Sequence, residues 1–340
     1  MRKYKLAFLG FGNVGRALAR LLLSKSAELQ ESYAIDWVIT GVATRRLGWI
    51  QSTGFDVSQL LSGNYEPCNH AEGLSEWLKA CTPDILFETT SLNPDSGQPA
   101  IDYLRASLQA GAHTVTANKA PIVYAYDELN RMALKNGRKL LFEATVMDSA
   151  PVFSLFRETL PAAKVRAFSG IFNSTTNVIL ETMEAGRTFD EGVKAAQDLG
   201  VAETDPSHDV NGWDATMKLC AIARVICGTV LSPASVHREG IRDLTVPILQ
   251  RARAEGRPYK LVARARVLEK GAIAASVQPE QVSSSDPLSG IRGTSLAVHF
   301  ELDMIPGLTI VSHRPNLQST AYGLLADLVA AVKDDPYESP

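Results

Sequence analysis

The chain has little of what would set it apart from ordinary globular proteins. It has only four cysteines in 340 residues, Cys68, Cys81, Cys220 and Cys227, and no two of them fall in the C-x-x-C spacing of a metal or redox site. Buried thiols in a reducing cytoplasm are the expectation, with the last pair seven residues apart and so on nearly one helix face. An excess of one charge is lacking too. The 34 basic and 37 acidic residues leave a net charge of −3, which gives no electrostatic footprint for nucleic acid or an anionic membrane. No apolar run approaches the length of a membrane-spanning helix. The basic opening Met1 to Lys5 leads into an apolar stretch broken at Gly10, Gly12 and Asn13, so it reads as a first strand rather than a signal peptide. Repeats and low-complexity tracts are absent.

What remains is a composition built to fold, with 45% hydrophobic and 21% charged residues. The length exceeds what one core usually serves and predicts two domains. From residue 5 to 145, short β-branched runs alternate with amphipathic stretches, the pattern of repeated βαβ units around a parallel sheet. Strands are expected at Lys5 to Leu9, Trp37 to Ala43, Asp84 to Thr89, His113 to Ala117 and Lys139 to Ala144, with a helix from Val14 to Leu23. After Pro151 the pattern becomes α+β. A strand at Val165 to Phe172 precedes helices near Asn177 to Glu184, Asp190 to Leu199 and Ala215 to Cys227, and strands dominate Leu261 to Val277 and Ser295 to Val311. A last helix is expected from Thr320 to Val332, before a polar, proline-bounded tail. The fold class is therefore α/β, a Rossmann doubly wound parallel sheet with a second α+β domain. Its expected division is 1–150 for nucleotide binding and 151–311 for substrate, with 312–340 packing back on the first.

The opening Leu6-Ala7-Phe8-Leu9-Gly10-Phe11-Gly12-Asn13-Val14-Gly15 is an apolar strand, a G-x-G-x-x-G turn and a helix start. Gly10 allows the tight turn, Gly12 lets the backbone approach a pyrophosphate, and Gly15 brings helix and strand together. The helix N-terminus adds free amides and a partial positive charge. Such turns also serve purely structural ends, but at the head of a βαβ series this one predicts a dinucleotide. An NAD site usually has a carboxylate at the end of the second strand. Asp36 instead precedes that strand, whereas Arg45 and Arg46 follow it, placed to clasp a 2′-phosphate or simply to lie in solvent. NADP is thereby favoured over NAD. Glu88-Thr89-Thr90-Ser91 follows a strand at its C-terminal end, where ligands of such sheets bind, and Thr89 and Thr90 join the cofactor set.

A denser constellation lies further on. In Ala202 to Lys218, the carboxylates Glu203, Asp205, Asp209 and Asp214 crowd around Lys218, and Asp214 and Lys218 share one helix face. Alone, that pair could be a surface ion bridge of little energetic weight. Together with the glycine turn, Thr116-Ala117-Asn118-Lys119-Ala120-Pro121 and Ser169-Gly170-Ile171-Phe172-Asn173-Ser174-Thr175-Thr176-Asn177, in this order and spacing, the chain resembles the homoserine dehydrogenase family over roughly residues 5 to 230. The resemblance implies reversible NAD(P)-linked interconversion of aspartate 4-semialdehyde and homoserine in a cytoplasmic homodimer. It also implies roles for matched positions. Lys218 would donate a proton to the carbonyl oxygen as hydride arrives, working with Lys119, while Glu203 and Asp214 bind and orient the substrate. An ammonium suits that task because it can polarise an aldehyde and release a proton. Asn173 and Thr175 could contact substrate, although helix capping explains that segment equally.

Two segments depart from the family. A glycine-rich stretch after the family glutamate holds a monovalent cation through backbone carbonyls; here Glu143 and Val146 remain, but Met147, Asp148 and Ser149 stand in place of the glycines. The replacements leave a monovalent-cation site on Glu143 and Val146 open rather than expected, with Asp148 able to alter its charge. Near the C-terminus, Ser312-His313-Arg314-Pro315-Asn316 replaces a glycine-alanine-glycine turn, with cationic groups suited to an additional anion. That loop keeps open a second reading, a paralogous dehydrogenase for another small carboxylated aldehyde or alcohol. A silent nucleotide sensor is disfavoured by retention of both lysines.

Overall fold

The computed structural model describes residues 2–333; the polar tail expected from residue 334 lies outside them. The described residues divide into two compact units, one made of residues 2–149 and 317–333, the other Ala150–Asn316.

The first unit is built on a seven-stranded sheet in the order β4-β3-β2-β1-β5-β6-β7. Its strands are β1 (Lys3–Leu9), β2 (Asp36–Thr44), β3 (Gly48–Gln51), β4 (Asn69–Ala71), β5 (Ile85–Glu88), β6 (His113–Thr116) and β7 (Leu140–Leu141). Its helices are α1 (Asn13–Ser24), α2 (Ser26–Tyr33), α3 (Val57–Ser62), α4 (Leu74–Cys81), α5 (Ala100–Gln109) and α6 (Lys119–Lys135). β2, β1, β5, β6 and β7 run parallel, so the central strands lack alternation and are buried on both sides. Leu6, Ala7, Phe8 and Leu9 are all buried. The expected strand Lys139 to Ala144 is cut short: only Leu140 and Leu141 pair with β6. Beyond them Glu143–Thr145 forms a 3-10 turn, and the Glu143 amide donates to Asp327 Oδ2 at 2.9 Å instead of to a strand. The antiparallel edge strands β3 and β4 have no counterpart among the expected elements, being too short to show a period.

The second unit contains β8 (Val165–Ile171), α7 (Ser174–Glu184), α8 (Phe189–Asp198), α9 (Ser207–Val210), α10 (Trp213–Val225), β9 (His237–Arg238), α11 (Val246–Ala254), β10 (Tyr259–Val267), β11 (Ile273–Gln281), β12 (Leu296–Leu302) and β13 (Leu308–Ser312). They form a sheet in the order β13-β12-β8-β10-β11-β9, antiparallel except where β9 meets β11. α7 and α10 pack on β10. A shallow concavity on the sheet is lined by Ser169, Arg264, Arg266, Ser276 and Glu301. Residues 312–316 group with this unit, where Ser312 closes β13 and the Arg314 amide donates to Ser295 Oγ at 3.3 Å.

The chain then returns to the first unit as α12 (Leu317–Val332). Its Ala321, Leu324 and Leu328 join Phe8, Leu18 and Leu22 in one apolar cluster. Its apolar face lies over the sheet beside α1, while Leu317 and Tyr322 are exposed.

Candidate active site

In the first unit the glycine turn sits at the C-terminal edge of β1. Gly10 has φ +88°, and a Cβ there would stand 2.5 Å from the Thr89 carbonyl oxygen, so only glycine fits. Its amide donates to Ala43 O at 2.8 Å, and Thr89 Oγ1 donates to Gly10 O at 2.9 Å. Gly15 packs just as closely, with a Cβ position 2.8 Å from Gly10 O. Gly12 differs: nothing lies within 4 Å of where its Cβ would be, and it is exposed with Asn13. No side chain caps α1, so the first helical amides, Asn13, Val14 and Gly15, have no acceptor within the helix. An open backbone beside uncapped amides is what a pyrophosphate requires, so these residues fit a dinucleotide. Phe11 is buried against Phe8, which fixes the turn from beneath.

Asp36 begins β2, at the end of the sheet opposite the glycine turn, whereas Arg45 and Arg46 follow Thr44 in the β2–β3 turn with exposed side chains. Thr44 Oγ1 braces that turn by accepting from the Leu47 amide at 3.0 Å.

A buried carboxylate organises the neighbouring loops. Glu88 ends β5 with no solvent exposure. Its Oε1 accepts from the Thr90 amide at 2.8 Å and from the Thr90 hydroxyl, and its Oε2 accepts from Thr116 Oγ1 at 2.7 Å. Burial pushes its pKa up, and the threonine hydrogen bonds oppose that rise. Thr116 Oγ1 in turn accepts the Asn118 amide at 2.9 Å, and Asn118 caps α6 by accepting from Ala120 N at 3.2 Å. Lys119, half-buried, is the first residue of that helix.

Glu143 and Val146 are both buried, one in the 3-10 turn and the other just after it. Asp148 takes φ +57°, so it keeps a left-handed backbone where a glycine would be at ease, and Thr320 Oγ1 donates to its Oδ1 at 2.5 Å. Among the described residues no group of three or more histidine, cysteine, aspartate or glutamate side chains could hold a metal. Any cation at Glu143 and Val146 would therefore rely on backbone oxygens.

In the second unit the segments around β8, α7, α9 and α10 converge. Asn173 caps α7 by accepting from the Thr176 amide at 2.9 Å. Its Nδ2 donates to Asp209 Oδ1 at 2.6 Å and to Asp214 Oδ2 at 3.0 Å. The same Asp214 oxygen lies 2.9 Å from Lys218 Nζ, which also donates to the Phe172 carbonyl at 2.6 Å. Both side chains of the ion pair are largely buried, at 13% and 16% exposure, so this is not a solvated surface bridge. Burial, and next the Asp214 charge, push the Asp209 carboxyl up. Asp209 stands in the acidic segment of the sequence, yet nothing in the spacing separates it from the exposed Asp205, which only caps Ser207. Thr175 is buried and donates to Val201 O at 2.7 Å. Glu203 is exposed in the loop before α9, where its backbone carbonyl accepts from Gln197; among the described residues its carboxylate forms no ion pair.

These features can be set beside known proteins. A family model described as homoserine dehydrogenase matches residues 151–329, and one described as homoserine dehydrogenase, NAD binding domain, matches residues 10–143. An NAD(+)-dependent homoserine dehydrogenase of Pseudomonas canavaninivorans is 33% identical over 97% of this chain and 96% of its own length. The crystal structure of a homoserine dehydrogenase from Thiobacillus denitrificans superposes with a TM-score of 0.84 at 27% identity, covering 100% of this chain and 76% of that one. A hyperthermophilic archaeal homoserine dehydrogenase in complex with NADPH gives a TM-score of 0.81 at 28% identity, covering 98% and 99% of the two chains.

Proposed function

The chain belongs to the homoserine dehydrogenase family, and from that premise we propose that it moves a hydride reversibly between NADP and the pair aspartate 4-semialdehyde and L-homoserine. The observation that carries this reading is the hold on Lys218: an ammonium fixed by Asp214 and the Phe172 carbonyl, with Asn173 and Asp209 behind the pair. A dinucleotide seated on the Gly10–Gly15 turn supplies the hydride. Lys218 supplies the proton that the carbonyl oxygen needs as it becomes a hydroxyl, and takes it back in the oxidative direction. Asp214 and the Phe172 carbonyl keep the amine aimed, and Lys119 is assigned to the same step. Glu203 and Asp214 hold the amino acid, with the Glu203 carboxylate meeting its ammonium group and Asn173 and Thr175 beside it. Exposure of Glu203 before substrate arrives accords with a group whose partner is the ligand.

Arg45 and Arg46 favour NADP, since two guanidinium groups at the end of β2 suit a 2′-phosphate and, among the described residues, β2 ends with no carboxylate to hold the ribose. Phe11, Asn13, Val14, Thr89 and Thr90 complete the cofactor set. A monovalent cation on Glu143 and Val146 would brace the turn after β7, and no step of the reaction passes through it. No helix among the described residues is long and apolar enough to cross a membrane. A cytoplasmic homodimer is the proposed form.

The deciding experiment follows NADPH and NADH oxidation with aspartate 4-semialdehyde beside a panel of related small carboxylated aldehydes. Efficient turnover of the semialdehyde supports the proposal. Turnover confined to another aldehyde overturns it in favour of a paralogous dehydrogenase, the outcome that the Arg314 loop would explain.

A further inference from the structure

Thr89 and Thr90 read from sequence as loop residues of a nucleotide cleft, but Glu88, the residue before them, faces inward. It has no solvent exposure and carries three inbound donors on its two oxygens, from the Thr90 amide, the Thr90 hydroxyl and Thr116 Oγ1. A buried carboxylate is costly, and burial raises its pKa. An apolar residue at this position would be the cheaper way to fill a core.

The donors show what the carboxylate is for. Thr116 Oγ1 accepts the Asn118 amide, so its own proton is free to go to Glu88, and the hydroxyl passes a fixed direction from one group to the next. The far end of this relay is the backbone of Asn118, whose side chain closes the first turn of α6 on Ala120 N. Lys119 is the next residue. On the other side, the residue between Glu88 and Thr90 is Thr89, whose carbonyl touches Gly10 and whose hydroxyl donates to Gly10 O. One buried group thus ties the loop after β5 to the loop after β6, within a single compact unit.

We propose that Glu88 is a positioning residue for the dehydrogenase reaction: through the relay Thr116 Oγ1 to Asn118 N it sets the first turn of α6 and with it the place of Lys119. The proposal rests on the reading that Lys119 takes part in the reaction. Glu88 itself does not touch the reacting atoms. It works because a carboxylate accepts from every direction around it, whereas an amide in its place would turn a donor toward a donor.

The test uses the full chain and compares Glu88→Gln, Thr116→Val, Thr116→Ser and Lys119→Ala. Glu88→Gln and Thr116→Val are each expected to lower kcat for semialdehyde reduction about 10- to 100-fold, the scale of a small misplacement at a reacting centre. Thr116→Ser, which restores the hydroxyl, stays within about twofold of the wild type, and the Glu88→Gln/Thr116→Val double variant is no slower than the slower single one. Thr116→Val loses some melting temperature, because it leaves the buried Asn118 amide and Glu88 carboxylate each short of a partner, but at a temperature where it is fully folded its NADPH affinity stays within about twofold of the wild type while kcat falls, which separates positioning from a merely structural role. If Glu88→Gln does not fold, the Thr116 pair decides alone. Wild-type kcat in Thr116→Val, beside a slow Lys119→Ala, overturns the proposal by itself. Wild-type turnover in Lys119→Ala overturns the reading beneath it as well.

Discussion

Lys218 is where a single side chain is asked to carry most of the chemistry. Removing it takes away the proton donor and leaves every residue of the glycine turn in place. Lys218→Ala should therefore lower kcat by roughly 10²- to 10⁴-fold, the usual reach of general acid–base catalysis, while NADPH affinity changes less than about twofold. Steady-state kinetics with a fluorescence titration checks this; near-normal turnover would refute the assignment. Arg45 and Arg46 invite the opposite kind of loss. Replacing both by alanine should raise the KM for NADPH about tenfold or more, as expected when charge-assisted hydrogen bonds are lost, and leave that for NADH in place. An equal rise for both cofactors would sink the phosphate clasp. At this scale sequence was informative where residue type and spacing restrict chemistry, as with Gly10 and with Asp214 four residues before Lys218. It was silent where burial decides. Asp205 and Asp209 are the same residue type four positions apart, yet one is a solvent-exposed turn residue and the other lies against Asn173 inside the site. Glu88 is another such case, a glutamate at a strand end whose partners come from sequence positions 90 and 116.

Elements were legible to the degree that they repeat. α1 runs Asn13–Ser24 where Val14 to Leu23 was expected, because three turns of amphipathic pattern leave little doubt about a period. β7 was overestimated because an apolar run does not reveal when its backbone stops pairing and bends into a turn. β6 carries a consequence for pH. His113, its first residue, accepts the Lys139 amide on Nδ1 at 3.1 Å, and burial followed by the charges of Arg138 and Lys139 lowers its pKa from 6.5 to about 4. In the unfolded chain the imidazole takes a proton near pH 6.5, whereas in the folded chain it does so only near pH 4, so between these values the unfolded state binds more protons. Stability should be unaffected by His113 above pH 6.5 and should fall as the pH drops from about 6.5 to about 4. Urea unfolding at a series of pH values measures the slope. His113→Asn, which keeps an acceptor but cannot be protonated, should flatten it, and an unchanged slope would assign the acid sensitivity to other groups.

For the whole molecule, the informative fact is that one compact unit is assembled from two separate stretches of chain. A change of pattern after Pro151 marked where the first stretch ends, and the helix near 320–332 marked the return. Neither said that residues 312–316 would stay with the second sheet, a matter of how far β13 pairs with β12. The return helix contributes Leu324, Leu325 and Leu328 to the core of the first unit. Each buried leucine is worth about 1.5–3 kcal/mol, a large share of a total stability of about 5–15 kcal/mol. A chain ended after Asn316 should therefore lose soluble yield and NADPH binding, and one that still bound NADPH like the full chain would show that α12 is dispensable.

That same arrangement sets an order of events during synthesis. The nucleotide-binding sheet leaves the ribosome first but is finished last, because the helix that covers one side of it follows all of residues 150–316. At about 5–20 residues per second, its apolar face waits on the order of ten to thirty seconds for a lid still being translated. During that interval the nascent chain exposes the surface that Leu324 and Leu328 will cover.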